Sequence, residues 1–150
     1  MYINDAEFQN SFAEKTFIVN SRTTKIVRYI LNKIELQNGG INIDITTDDN
    51  SIEHILPEKP NDDWDIDEYR LDSLVSRLGN LCLLESNKNK ELGNSSYSKK
   101  KEIYSTSQFV TTKSIPEKYT EWTEQSISSR QKQMAKNATA LWKVNFSTTN

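Results

Sequence analysis

Apolar residues recur at helical spacing toward both ends of the chain and at strand spacing only in its middle. Asp5 followed by AEFQNSFAEK reads as a short N-capped helix in which Phe8 and Phe12 share a face. Ser21 heads a second helix reaching about Gln37, with Ile26, Tyr29, Ile30, Lys33 and Ile34 near helical spacing, and Asn38-Gly39-Gly40 closes it. INIDIT then alternates apolar and polar residues in the manner of a strand, and SIEHILP reads as a short apolar strand stopped by Pro57. The stretch EKPNDDWDIDEYR is a loop by composition. RLDSLVSRLG carries Leu71, Leu74, Val75 and Leu78 at helical spacing.

Gly79 opens a further strand, NLCLLE. Ser86 caps a short helix, NKNKELG, ended by Gly93, and another helix starts near Ser96 with Tyr97, Lys101 and Tyr104. From about Trp122 to Val144 the apolar positions Trp122, Ile127, Met134, Ala138, Leu141 and Trp142 trace one long helix. The middle therefore reads strand, long connection, strand, helix, with helices on either side. Strands that do not alternate with crossover helices argue for an α+β fold over a parallel α/β sheet.

At 150 residues the chain fits one domain. Only 35% of it is hydrophobic and its mean hydropathy is −0.74, which suits a small core with long surface segments, or a piece whose partner lies elsewhere. No apolar run approaches the roughly 18 residues of a membrane span, and MYINDAEFQN lacks the pattern of a signal peptide. The single cysteine, Cys82, lies in the apolar run LCLL and reads as a buried free thiol, so a cytoplasmic, reducing setting is expected.

A net charge of −2 does not advertise nucleic-acid binding. The distribution is more informative. Acids crowd the stretch from Asp48 to Glu68 against Lys59 alone, whereas Lys88, Lys90, Lys99, Lys100 and Lys101 dominate the stretch after it. One side should repel a phosphate backbone and the other attract it.

The one histidine, His54, follows Glu53 in Ile52-Glu53-His54-Ile55-Leu56-Pro57. Taken alone, such a residue is more often structural than catalytic. A second cluster changes the weighing: Asn80 begins the apolar strand NLCLLE, where its amide needs partners, and Asn89 stands nine residues on, near the next helix. An acid-His pair on one strand, an Asn opening the returning strand and an Asn on the following helix resemble the HNH (ββα-metal, His-Me finger) nuclease pattern. The wording EHILP, LGNLCLL and NKNKELGNSSYSKKK is similar to the C-terminal nuclease domain of GmrSD-type modification-dependent restriction endonucleases. RYILNKIE and the helix Trp122…Arg130…Trp142 extend the likeness over nearly the whole chain.

That resemblance implies a single HNH domain over 1–150: a helical N-terminal extension over 1–40, a ββα-metal core over 50–93 and a helical C-terminal part over 95–150. It implies a DNA endonuclease in a restriction system for antiviral defence, acting on modified phage DNA. It also implies a nucleotide-dependent recognition domain or subunit outside this chain. His54 would be the general base, and Asn80 would hold its ring through side-chain or backbone oxygen. Glu53 and Asn89 would bind Mg²⁺ or Mn²⁺ through hard oxygens, with Asn87 as the rival ligand. An imidazole suits deprotonation of water near neutral pH.

One geometric difficulty is built in, because neighbours on a regular strand face opposite ways. Glu53 and His54 can serve one site only across a strand end. Asn89 stands where the third HNH position is often His, and Glu53 where many relatives carry Asp. With only Cys82 and His54 available, a Cys/His zinc site is excluded.

Lys88, Lys90, Lys99, Lys100 and Arg130 are candidate DNA contacts; for the lysine run the ordinary alternative is solvated surface, and for Arg130 an ion pair with an acid. Trp122 and Trp142 fit helical core packing, while Trp64 is open between core and partner. The competing reading is a non-catalytic DNA- or partner-binding module of the same fold, favoured by the low charge and the acidic loop. A third is an unrelated helical scaffold.

Overall fold

The computed structural model describes the backbone of residues 4–147 and the side chains of residues 4–141. Its elements in chain order are α1 (Asp5–Ala13), α2 (Thr24–Gln37), β1 (Asn50–His54), α3 (Glu68–Val75), β2 (Leu81–Glu85), α4 (Ser86–Leu92), α5 (Tyr97–Tyr104), α6 (Val110–Lys113), α7 (Ile115–Lys118) and α8 (Glu124–Ser147). A 3₁₀ turn at Leu78–Asn80 leads into β2. The fold is α+β, with helices around a small antiparallel sheet in which β1 pairs with β2, Glu53 opposite Cys82 and His54 opposite Leu81.

Local chemistry sets most boundaries, not always through the expected residue. Asn4, not Asp5, caps α1: its side chain accepts from Glu7 N while the Glu7 carboxylate accepts from Asn4 N. α2 begins at Thr24 rather than Ser21, because the Asn20 side chain turns the chain by accepting from Arg22 N and Thr23 N. Gly39 supplies the positive φ of 81° that follows α2. Ser96 caps α5 as expected, but Ser86 is the first residue of α4, and its hydroxyl donates to the Asp48 carbonyl at 2.5 Å.

INIDIT forms no strand. The Arg28 guanidinium, 7% exposed, reaches across from α2 and donates to the carbonyls of Ile45 at 2.9 Å and Thr47 at 3.1 Å. It also donates to Asn50 Oδ1 at 2.8 Å. Ile43 alone of the three isoleucines there is buried. Within the segment the Ile45 carbonyl is thus engaged by a side chain, as is that of Ile41, which accepts from Asn32 Nδ2 at 3.0 Å.

Two apolar clusters lie on either side of the sheet. Val27, Leu31, Ile34, Leu81, Leu83 and Met134 join α2 and α8 to one face. Ile55, Leu56, Trp64, Cys82, Leu84 and Tyr104 belong to the other. The alternation Leu81/Leu83 against Cys82/Leu84 is the strand period written out in burial. Within α8, Ile127, Met134 and Ala138 are buried, Trp122 is buried just before it, and the Trp142 side chain lies outside the described residues. Burial pushes the Cys82 thiol up to about 12, so this is an inert core thiol. Among the described residues no helix is long and apolar enough to cross a membrane.

Candidate active site

Glu53 and His54 are neighbours at the end of β1, and the period of a strand would turn them to opposite faces. Glu53 turns inward and is 3% exposed. Its Oε1 accepts from Lys100 Nζ at 2.5 Å and from Tyr104 Oη at 2.9 Å. Lys100 is fully buried, donates also to the His54 carbonyl at 2.8 Å, and holds its ammonium 5.7 Å from the centre of the Trp64 ring. Burial pushes the Glu53 carboxyl up; the Lys100 charge and the two hydrogen bonds pull it back.

Both of those bonds fall on one oxygen. Glu53 Oε2 takes neither, and it is not sealed, because Arg28 Nε is the sole buried side-chain nitrogen or oxygen without a partner among the described residues. The same holds on α4 for Asn89. Its Nδ2 donates to Ser51 Oγ at 2.8 Å and to the Ile52 carbonyl at 3.1 Å, binding the helix to β1 and leaving Oδ1 open.

Glu53, His54 and Asn89 line one open cleft of about 390 Å³, which Pro57, Glu58 and Lys59 also line. His54 Nδ1 lies 3.6 Å from Glu58 Oε1, an electrostatic contact longer than a hydrogen bond. Burial lowers the imidazole pKa below 6.5; Glu58 works in the opposite direction and Lys100 in the same one. Burial thus favours the neutral, proton-accepting form of the ring.

Asn80 makes no hydrogen bond to the His54 ring among the described residues, which corrects the expected role. It secures the chain just beyond it: Oδ1 accepts from Leu56 N at 2.7 Å and from Trp122 Nε1 at 3.0 Å, and Nδ2 donates to the carbonyls of Leu56 at 2.9 Å and Val75 at 3.1 Å. Its backbone oxygen accepts from Ile55 N at 2.9 Å. These bonds fix the chain from Ile55 into Pro57, just beyond the acid and the imidazole that line the cleft.

Other expectations also need correction. Asn87 is exposed, accepts from Lys88 N and does not line the cleft. Lys100 is buried against Glu53 and offers nothing to DNA. Arg130 is 7% exposed, with Nη1 donating to the carbonyls of Gly79 at 2.8 Å and Leu81 at 2.7 Å, away from the cleft and without a carboxylate partner among the described residues. Lys88 is tied to Glu85 and the Thr106 carbonyl, whereas Lys90 and Lys99 are exposed. Trp64 belongs to the core, its indole donating to the carbonyls of Asn94 and Ser95.

Sequence reasoning passed over Glu58, Lys59 and Asn94. The first two follow Pro57 directly, and a proline-forced bend beside a candidate histidine is the signal that marks them. Asn94 also lines the cleft and braces it, Nδ2 donating to the Lys59 carbonyl at 3.3 Å.

Over residues 2–137 the sequence matches the family of C-terminal domains of GmrSD restriction endonucleases. The chain belongs to that family. No curated protein matches it. In this member of the GmrSD C-terminal family the cleft is built wholly from residues 52–94, inside the matched span.

Proposed function

We propose that this domain is an HNH-type endonuclease that hydrolyses DNA phosphodiester bonds in the cleft carrying His54. The observation that supports this most is that His54, Glu53 and Asn89 line one cleft, with Glu53 Oε2 and Asn89 Oδ1 free of protein partners.

The donor set fits a hard divalent cation. Among the described residues no three or more His, Cys, Asp or Glu side chains form a group that could hold a metal ion by themselves. One carboxylate oxygen and one amide oxygen suit Mg²⁺ or Mn²⁺, whose remaining positions are filled by water and substrate. Glu53 and Asn89 would hold it, and when bound it supplies charge stabilisation at the leaving oxygen.

The protein's own groups do the remainder. His54 accepts a proton from the attacking water, with Glu58 facing Nδ1 and Nε2 left for the water. Lys59, the cationic side chain lining the cleft, meets the substrate phosphate. Lys100 and Tyr104 fix the Glu53 carboxylate, and Ser51 and the Ile52 carbonyl fix Asn89, so the site is ordered before substrate arrives. Lys90 and Lys99 remain exposed cations for the flanking DNA backbone. Recognition of modified phage DNA would rest with a nucleotide-dependent domain or subunit outside this chain.

The test is incubation of supercoiled plasmid with Mg²⁺ or Mn²⁺. The wild-type domain should nick it, and folded His54→Ala should be slower by about 10²-fold or more. Nicking unchanged by His54→Ala, or none with either metal, would favour the non-catalytic binding module.

A further inference from the structure

A second pocket, of about 160 Å³, opens between α2, α6, α7 and α8 and shares no residue with the nuclease cleft. Arg130 lines it. This guanidinium is more than nine-tenths buried, and Nη1 alone is engaged, by the Gly79 and Leu81 carbonyls. Among the described residues Nε and Nη2 take no protein partner, neither is sealed, and the Arg130 side chain lines the pocket. A buried cation satisfied only by carbonyl dipoles lacks the counter-charge that normally offsets its desolvation.

The rest of the lining has matching chemistry. Lys118, at the end of α7, contributes a second cation with no ion pair among the described residues. Tyr119, Gln133 and Asn137 add hydroxyl and amide donors, and no carboxylate lines the pocket. Glu35 lies behind the adjoining segment, but its oxygens accept from the Val110 and Thr111 amides and the Thr111 hydroxyl. The Arg130 pKa is lowered chiefly by burial, a penalty that a bound anion would relieve.

We propose that this pocket is a binding site for one phosphate-type oxyanion, free or as the phosphate of a small phosphomonoester, gripped between the open edge of Arg130 and Lys118. Arg supplies a planar donor fork and Lys a point charge, the usual division of labour at phosphate. The volume is below the roughly 300 Å³ at which pockets for larger organic ligands begin, which favours the small anion over a whole nucleotide. The apolar floor of Ile34 and Met134 leaves room for a short carbon skeleton.

The experiment is a phosphate titration of the ¹⁵N-labelled domain at constant ionic strength, free of divalent metal, read by amide chemical shifts. Saturable shifts at Thr111, Ser114, Tyr119 and Asn137, with Ile52, His54 and Gly93 unmoved, are expected. Lys118→Glu, an exposed substitution, should weaken the response by about tenfold or more, while Asn89→Ala should leave it intact. Because Arg130→Ala also frees two buried carbonyls, Lys118→Glu carries the test. The proposal is overturned by linear, unsaturated shifts, by saturation confined to the nuclease cleft, by a Lys118→Glu response equal to wild type, or by a duplex DNA that moves these amides when phosphate does not. None of these outcomes depends on nuclease activity.

Discussion

Lys100 and Glu53 form a buried ion pair, Nζ to Oε1 at 2.5 Å, with the two side chains 0% and 3% exposed. The pair anchors α5 to the strand that carries His54. A neutral replacement at one end strands the other charge in the core, which costs about 3–5 kcal/mol. Lys100→Met should therefore lower stability by that amount in urea unfolding, and Lys100→Met with Glu53→Gln should recover part of the loss. A Lys100→Met protein as stable as wild type would mean that the pair does not bear on the fold.

Asn80 satisfies the Leu56 amide and carbonyl, the Val75 carbonyl and the Trp122 indole from a fully buried position. Asn80→Ala leaves several of these without partners, and a loss of about 3 kcal/mol is expected. Nicking per folded molecule should fall as well, because the bend after His54 loses its brace. Asn80→Ala with normal stability would contradict the network.

The single histidine makes pH dependence directly readable. Burial lowers its folded pKa below 6.5, so the unfolded chain binds the proton at higher pH than the folded one does. The contribution of His54 to stability is then complete above pH 6.5 and is lost as pH falls through the folded value. An NMR titration of the imidazole in the metal-free protein should give a midpoint below 6.5. Glu58→Gln removes the group that holds the value up and should move the midpoint lower still. A midpoint above 6.5, or an upward shift in Glu58→Gln, would contradict the described surroundings of the ring.

Asn89 and Asn87 stand two residues apart on α4 with different surroundings. Asn89→Ala should raise the Mg²⁺ concentration needed for half-maximal nicking several-fold, and Asn87→Ala should leave it unchanged. The reverse result would move the metal to Asn87.

The parts of this protein legible in its sequence are those carried by short-range pattern. The two strands, the helix after them, the Ser96 cap and the EHILP…GN…N spacing can be read because each depends on neighbours in the chain. What could not be read depends on distant partners. A lysine run such as Lys99-Lys100-Lys101 looks solvated, and nothing local says that its middle member meets a glutamate 47 residues earlier. INIDIT has the period of a strand, but side chains from the preceding helix take carbonyls in it, Arg28 that of Ile45 and Asn32 that of Ile41. Asn80 at the start of an apolar strand is an amide that needs partners, yet which partners it finds depends on where α3, the Leu56 bend and Trp122 come together. Arg130 offered DNA or an acid as partners, and the fold instead gave it two carbonyls and an open edge.

The central claim is tested most directly by a crystal structure of the domain grown with Mn²⁺ and measured for anomalous scattering. One manganese peak is expected in the His54 cleft, within coordination distance of Glu53 Oε2 and Asn89 Oδ1. A structure with that cleft open to solvent and the manganese bound elsewhere, or absent at concentrations that support nicking, would contradict it.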